Sequence, residues 1–358
     1  MTDQPLLEVT DLVRHFPTRE VRGLRMVRAD VQAVDGISFS VRRGQTLGLV
    51  GESGCGKSTT ARLVTRLDEP TSGRIRFEGR DITHLKESQL RGLRRDVQMI
   101  FQDPYSALNP RQTIGTILST PLRVHGLYRG REKARVRELL ELVGLNPEHV
   151  NRYPSEFSGG QRQRIGIARA LAVEPKLLVA DEPVSALDVS IQAQVMNLLA
   201  SLRDELGLAF VFVAHDLGVV RHFCDQVAVM YLGKIVEYGD RRAIYGRPEH
   251  PYTQALLSSA PDINVARGHA PRERIRLVGD VPSPVDPPSG CRFRTRCWKS
   301  QAICFTREPP LVNAKTSGEM SWLLPPSEPG RREGGRHVHA CHFPEVRTNL
   351  VAEVARPR

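Results

Sequence analysis

The nine residues from position 51 to position 59 have the composition and the order of a loop that binds phosphate. They fit the pattern G-x-x-x-x-G-K-[ST] and read Gly51, Glu52, Ser53, Gly54, Cys55, Gly56, Lys57, Ser58 and Thr59. The glycines let the backbone wrap closely, so that unpaired N–H groups can point at an anion. The lysine can reach the β- and γ-phosphates of a nucleotide, and the serine hydroxyl can ligate magnesium. The sequence therefore predicts a nucleotide site here, in preference to a chance glycine-rich turn.

Four polar residues that directly follow apolar runs supply the other groups that phosphate hydrolysis needs. Asp181 can hold magnesium, directly or through water, and Glu182 can orient and deprotonate the attacking water. Gln102 offers an amide to both magnesium and water, and His215 can hydrogen-bond a γ-phosphate. For Glu182 the alternative is a helix-capping or ion-paired acid, and for His215 a structural histidine. We predict Glu182, His215 and Gln102 as catalytic residues, and Ser58, Gln102 and Asp181 as magnesium ligands.

The elements that must position these residues are strands followed by helices. A strand over 46–50 leads into the loop, and a helix over 58–67 follows it. The strongly apolar runs 176–180 and 208–214 are typical of strands buried inside a parallel sheet. Because ligands bind at the carboxyl ends of such strands, the polar residues that follow them should lie together. The pattern predicts a doubly wound α/β sheet.

Two regions depart from this alternation of strands and helices. Alternating strands over 6–16 and 31–41 predict an antiparallel β portion, and the basic stretch 17–30 between them is interpreted as a loop. From 113 to 145 the periodicity is helical. The apolar positions that carry this periodicity are Val136, Leu139, Leu140 and Val143.

After about residue 260 the composition of the chain changes. Residues 263–358 contain 12 of the 25 prolines, and 16 Lys or Arg against 9 Asp or Glu. Such a region has little apolar material for a core, and its charge suits nucleic acid or an anionic membrane surface. We therefore divide the chain into a nucleotide-binding domain over 1–262 and a C-terminal extension over 263–358. The chain contains no window of 18 consecutive apolar residues and no signal-peptide pattern. We therefore expect the chain neither to span a membrane nor to be exported.

Taken together, the motifs resemble those of an ATP-binding-cassette (ABC) ATPase in their order and spacing. In the terms used for that family they are the Walker A motif at 51–59, the Q-loop at Gln102, the signature at 157–161, the Walker B motif at 177–182, the D-loop at 185–188 and the switch histidine at His215. The resemblance implies an α/β P-loop fold of the ABC type. That fold has a parallel sheet core, an antiparallel β subdomain and an inserted helical subdomain, here at about 103–175.

The same resemblance implies further nucleotide contacts and a partner chain. In the family, the signature of one subunit closes over the ATP held by another. The residues that this implies here are Ser158, Gly159, Gly160, Gln161 and the D-loop Asp188. Phe16 falls where the family places an aromatic side chain that stacks on adenine, with a core phenylalanine as the alternative. Because the chain has one Walker A motif, the resemblance implies a second cassette as partner.

A narrower resemblance points to the importers of oligopeptides, dipeptides and nickel, through 50–58, 99–110 and 250–257. It implies an ATPase subunit at the cytoplasmic face of the bacterial inner membrane, bound peripherally to two permease subunits and served indirectly by a solute-binding protein. The Asp-Pro-Tyr-Ser variant at 103–106 implies a related but non-identical partner cassette. Peptides are the expected solute, with nickel or another small solute as the alternative. A soluble cassette ATPase acting on nucleic acid or ribosomes is the rival function, and we expect no nucleic acid partner.

Four of the six cysteines lie late in the chain, where a cluster favours a metal site over disulfides in a cytosolic protein. They are Cys291, Cys297, Cys304 and Cys341. Importers of this subfamily often end in Gly-Cys-x-Phe-x-x-Arg-Cys followed by two more cysteines, and some relatives resemble iron–sulfur proteins. The resemblance implies a 4Fe–4S cluster, with tetrahedral zinc or free thiols as alternatives. His337, His339 and His342 leave room for a mixed zinc site.

Overall fold

Two β-sheets and the helices around them make up the computed structural model, which describes residues 4–22, 25–259, 274–313 and 337–347. In these ranges the strands are β1 (Leu7–Arg22), β2 (Arg25–Val41), β3 (Thr46–Val50), β4 (Ser72–Phe77), β5 (Arg80–Asp81), β6 (Val97–Ile100), β7 (Leu177–Asp181), β8 (Ala209–Ala214), β9 (Gln226–Tyr231), β10 (Lys234–Asp240), β11 (Val312–Asn313) and β12 (His337–His339).

The helices lie mostly between these strands. They are α1 (Lys57–Val64), α2 (Glu87–Asp96), α3 (Pro104–Ala107), α4 (Ile114–His125), α5 (Glu132–Leu142), α6 (Gly159–Leu171), α7 (Val189–Leu206), α8 (Leu217–Val220), α9 (Arg241–Gly246), α10 (Pro251–Ser259) and α11 (Ile303–Thr306), with 3-10 turns at Pro147–Asn151 and Pro154–Glu156. None of the helices within the described ranges is long and apolar enough to cross a membrane.

The larger sheet has a parallel centre, in the order β9-β3-β8-β7-β6. Every residue of β3, β7 and β8 is buried, because one face of the sheet packs against helices and the other against α1, α2 and the smaller sheet. The apolar runs in the sequence are therefore central strands, as predicted. Since these strands run in one direction, the residues that follow β6, β7 and β8 meet at one edge.

The smaller sheet is antiparallel, in the order β2-β1-β4-β5. The interpretation of 17–30 as a loop is wrong, because β1 extends to Arg22 and β2 begins at Arg25, and this hairpin pairs Pro17 with Asp30 and Arg19 with Arg28. Strand β4 pairs with β1 only as far as Val13. Beyond Val13, β1 is paired with β2 but no longer with β4. A strand tolerates proline where one of its edges makes no ladder hydrogen bonds. Residues 17–20 and 26–30, whose burial the structure describes, are not in the core, so no apolar alternation marks them in the sequence.

Between β6 and β7 the chain forms α3 to α6 and the two 3-10 turns. The four apolar positions expected on one helical face are all buried, three in α5 and Val143 just after it. They pack with the buried face of α4, including Leu118 and Leu122, in the same apolar core as the parallel sheet. The helical periodicity is confirmed, while the subdomain bounds of about 103–175 stay a prediction.

The C-terminal extension packs on the cassette in the parts that the structure describes. Strand β12 pairs with β10, and β11 pairs with β12, so the extension completes the larger sheet. Phe293 is buried in the main apolar core. A region with little apolar material thus folds by using the core of its neighbour. The boundary at 262/263 lies outside the described residues and stays a prediction.

A buried carboxylate helps to fasten this junction. Glu237 in β10 is fully buried and accepts hydrogen bonds from the backbone N–H groups of Glu249 (2.8 Å) and His250 (3.1 Å). Its Oε1 atom also lies 2.6 Å from Nε2 of His337 in β12. One side chain therefore joins the sheet, the segment before α10 and the last described strand.

We expect Glu237→Gln to destabilise the protein, because an amide offers one acceptor oxygen where the carboxylate uses two. Losing a buried charged acceptor costs about 2–3 kcal/mol, which lowers the melting temperature by roughly 3–4 °C in a protein of this size. The matched control is Glu345→Gln, which breaks an exposed pair with Lys299 (2.7 Å) and should cost less than about 1 kcal/mol. Equal melting temperatures for the two variants in a thermal denaturation scan would contradict this account.

Candidate nucleotide site

The phosphate loop (residues 51–59) passes between two strands with almost no clearance. A Cβ atom at Gly56 would stand closer than 3.0 Å to the carbonyl oxygen of Ala33 in β2, and one at Gly51 would be equally close to that of Met230 in β9. Gly56 also has φ +103°, in the left-handed region. Only glycine fits at these two positions, because the neighbouring backbones lie too close to allow a Cβ atom. The loop is therefore fixed between the two sheets.

Lys57 places a buried positive charge inside the loop. Its Nζ atom donates to the carbonyl oxygens of Gly51 (2.8 Å) and Glu52 (2.9 Å). The same atom lies 3.8 Å from Oε1 of Glu182. The ammonium group thus stands between the loop and the acid that follows β7, where the terminal phosphates of a nucleotide would be contacted.

Two of the predicted magnesium ligands, Ser58 and Asp181, are in direct contact. The Ser58 hydroxyl donates to Oδ1 of Asp181 at 2.8 Å. Burial raises the pKa of the Asp181 carboxyl. Hard oxygen ligands are what Mg²⁺ prefers, and its charge would favour the ionised carboxylate that burial disfavours. The residues present therefore fit a magnesium ion.

Three side chains meet at the carboxylate of Glu182. The Gln102 amide donates to Oε2 at 3.1 Å, Nδ1 of His215 lies 3.8 Å from the same oxygen, and Lys57 approaches the other oxygen. The backbone of Glu182 has φ +43°, an unusual value for a residue with a side chain. Such strain is found where a site requires a particular direction of the side chain. The structure thus brings the predicted catalytic residues together.

The predicted signature residues lie at the start of a different helix, α6. The Ser158 hydroxyl accepts from the N–H of Gln161 (3.3 Å), and Oε1 of Gln161 accepts from the N–H of Ser158 (3.0 Å). This is a capping box, and Gly159 and Gly160 form the first turn after it. Asp188 is exposed just before α7. The nucleotide contacts of all five residues stay predictions.

Phe16 lies in the β1–β2 hairpin, opposite Val31. It is half-buried, and the Arg14 guanidinium lies 4.3 Å from the centroid of its ring. One face of the ring therefore contacts a planar cation. Its role in stacking on adenine stays a prediction.

The four late cysteines line one small cavity, and all of them are free thiols. Burial raises the pKa of Cys291 and of Cys341 to about 11, and it also raises that of Cys297. Even so, no group of three or more His, Cys, Asp or Glu side chains in the described part of the chain is arranged to hold a metal ion. The comparisons and the structure give no support for an iron–sulfur cluster or for zinc beyond this shared cavity.

The histidines considered for a mixed zinc site have other partners. His337 lies against Glu237, and Nε2 of His339 is 3.4 Å from Glu249. Nε2 of His342 is 2.9 Å from the carbonyl oxygen of Arg307. His337 thus fastens the C-terminal extension to β10, whereas neither ring nitrogen of His339 makes a hydrogen bond to a described residue, and His342 also lines the cysteine cavity.

Sequence reasoning missed the residues that hold Glu52, the second residue of the loop. Its N–H donates to the hydroxyl of Tyr252 (2.8 Å), and its carboxylate binds both terminal nitrogens of Arg296 (2.6 and 3.1 Å). Both partners belong to stretches that carried the narrower resemblance, 250–257 and the cysteine motif. Their family pattern was visible, but nothing in it indicated contact with the phosphate loop.

Comparison with known proteins agrees with this arrangement. A family model described as "ABC transporter" matches residues 34–185, and one described as "Oligopeptide/dipeptide transporter, C-terminal region" matches residues 236–304. The oligopeptide transport ATP-binding protein AppF of Bacillus subtilis is 53% identical over 316 residues, covering 88% of this chain and 95% of that protein. A probable peptide ABC transporter ATP-binding protein, y4tS, of Sinorhizobium fredii is 52% identical over 308 residues, covering 86% of each chain.

Two solved structures share the fold at 28% identity and a TM-score of 0.57. One is a dimeric post-hydrolysis state of the ATP-binding cassette MJ0796 bound to ADP and Pi, with 66% of this chain and 99% of that one covered. The other is cbiO1 of Clostridium perfringens, part of the ABC transporter complex cbiONQ, with 67% and 90% covered. The chain therefore belongs to the ATP-binding-cassette family of transporter ATPases, in the oligopeptide/dipeptide branch.

Proposed function

We propose that this chain binds and hydrolyses ATP to drive the uptake of peptides through a membrane importer. The observation that carries the proposal is the convergence of Gln102, His215 and Lys57 on Glu182, beside the Ser58–Asp181 pair. The relatives that match over most of their length are named as oligopeptide or peptide transport ATP-binding proteins, which supports peptides as the solute.

The mechanism follows from the position of each group. The N–H groups of the phosphate loop and the Lys57 ammonium bind the phosphates of ATP. Ser58 and Asp181, with Gln102 as the third predicted ligand, would hold Mg²⁺, which would supply positive charge to the β- and γ-phosphates when bound. Glu182 accepts a proton from the attacking water, and Gln102 holds the carboxylate in place. His215 contacts the γ-phosphate from the end of β8.

A second cassette completes the site in this proposal. The signature at the start of α6 offers backbone N–H groups and the positive end of a helix dipole to an anion. It belongs to a different helix from the phosphate loop, and one of the matching cassettes is a dimer. We infer that Ser158, Gly159, Gly160, Gln161 and Asp188 act on the nucleotide of a partner.

The assembly that we propose is a transporter at the cytoplasmic face of the bacterial inner membrane. The partner is a related, non-identical cassette, as the variant at 103–106 suggests. Two permease subunits carry the solute, and an extracytoplasmic solute-binding protein delivers it. Tyr105 is well exposed on α3, close to the Q-loop, which suits contact with a permease.

We also propose a structural metal centre at Cys291, Cys297, Cys304 and Cys341, with 4Fe–4S favoured over zinc. The shared cavity and the four free thiols support it. Because burial disfavours the thiolates, a bound metal would supply the charge that stabilises them and would cross-link distant parts of the C-terminal extension. The centre takes no part in hydrolysis, since the hydrolytic residues all precede Asp216.

Glu182→Gln should bind ATP yet lose hydrolysis, because the amide keeps the shape of the side chain but cannot accept a proton. We expect a loss of about 10²–10⁴-fold in the ATPase rate of the assembled transporter, with ATP affinity retained. Glu141→Gln, on the exposed side of α5, is the control and should keep the wild-type rate. A Glu182→Gln rate within about 3-fold of wild type would show that Glu182 is not the base.

The isolated chain should be a poor ATPase, because each site lacks the signature of a partner. Addition of the partner cassette and the permeases should raise turnover. The measurement is the ATPase rate against protein concentration, with light scattering to give the oligomeric state. Full activity in a monomer would rule out a site shared between two chains.

Protein purified without oxygen should be brown and carry about four irons per chain if the centre is 4Fe–4S. Cys297→Ser should lose the metal and become protease-sensitive after residue 263, while Cys224→Ala, at an isolated buried cysteine, should keep it. Colourless protein with one zinc per chain would show that the four cysteines bind a metal, and that this metal is zinc and not iron. Protein without either metal, and with unchanged protease resistance in Cys297→Ser, would leave the cysteines as free thiols.

A further inference from the structure

Glu52 in the phosphate loop is held by its main chain and by its side chain. Tyr252 accepts a hydrogen bond from its N–H, and Arg296 forms a two-pronged ion pair with its carboxylate, at 2.6 and 3.1 Å. The Arg296 side chain is 8% exposed and that of Glu52 is 28% exposed. An Arg–carboxylate fork that is largely shielded from water fixes geometry as well as charge. The pair therefore differs from an ordinary surface ion pair.

The position of Arg296 is set by an aromatic cluster. Phe293 packs against Tyr231 and Tyr252, with ring centroids 5.2 and 5.4 Å apart, and the two tyrosines are 4.8 Å from each other. The N–H of Arg296 donates to the carbonyl oxygen of Phe293 at 3.0 Å. The same cluster thus places the Tyr252 hydroxyl at the backbone N–H of Glu52 and the Arg296 guanidinium at its carboxylate.

A carboxylate in this loop presents an electrostatic problem. The loop must accept a polyphosphate, and the carbonyl oxygen of Glu52 itself receives a hydrogen bond from Lys57. An unpaired negative charge on Glu52 would repel the phosphates at short range. Arg296 supplies the compensating charge from a site 244 residues further along the chain.

We propose that Arg296 is a positioning residue for ATP binding, which neutralises and holds the Glu52 carboxylate so that the phosphate loop accepts an anion. The inference rests on the ATP-binding function proposed above. It assigns to the C-terminal extension a direct role at the nucleotide site, through a side chain that touches the loop and not the nucleotide.

The test measures the affinity of the full chain for ATP, ADP and adenosine by titration calorimetry. Arg296→Gln should weaken ATP binding about 10-fold, ADP binding less and adenosine binding less than about 2-fold, because the repulsion grows with the charge of the ligand. In the assembled transporter the KM for ATP should rise while kcat stays near wild type, since Glu182 and His215 are unchanged.

The deciding variant is the double substitution Glu52→Gln with Arg296→Gln. If Arg296 acts by neutralising Glu52, removal of that carboxylate should restore ATP affinity to within about 3-fold of Glu52→Gln alone. A purely structural link would leave the double variant as weak as Arg296→Gln. Arg294→Gln is the matched control, because Arg294 contacts Phe305 and Ser289 within the C-terminal extension.

Circular dichroism and melting temperature must show that each variant is folded. A folded Arg296→Gln with ATP affinity within about 2-fold of wild type would overturn the proposal, as would a double variant without recovery. A wild-type chain that binds no ATP would instead overturn the nucleotide-binding function itself, so the two failures are distinguishable.

Discussion

The shared direction of the central strands is the constraint on which the site depends. Gln102, Glu182 and His215 are separated by dozens of residues in the chain, yet each follows a strand of one parallel set. Because such strands end at the same edge, their next residues converge without any local sequence relation. The phosphate loop follows β3 in the same set and adds Lys57. A single topological rule thus assembles the hydrolytic groups around one carboxylate.

The sequence predicted the fold where its signals are local. Unbroken apolar runs identify β7 and β8, and the glycine pattern identifies the phosphate loop, because burial and close approach limit the residue types allowed. The hairpin strands within 17–30 escaped prediction because their residues 17–20 and 26–30 lie outside the core and include Pro17. The contact between Glu52 and Arg296 escaped as well, because nothing near either residue in the chain reveals a partner 244 positions away.

The C-terminal extension contributes to the cassette and is not merely attached to it. Phe293 enters the main core, and Arg292 pairs with Asp35 in β2. Although burial acts in the opposite direction, Lys234 and Arg292 lower the pKa of the Asp35 carboxyl. Asp35 in turn lies 3.2 Å from Nε2 of His15, next to Phe16. The extension therefore contacts the cassette at two places. Arg296 contacts the phosphate loop, and Arg292 contacts β2 of the β1–β2 hairpin.

The pairing of β12 with β10 has a consequence for the order in which the protein is made. Residues 337–339 are synthesised almost a hundred residues after β10, and until they emerge from the ribosome one edge of β10 has no β12 beside it. An open strand edge is a template for association with other chains. Arg296 likewise emerges long after the loop that it neutralises. A nascent chain thus presents an unfinished sheet and an uncompensated loop until Arg296 and residues 337–339 have emerged.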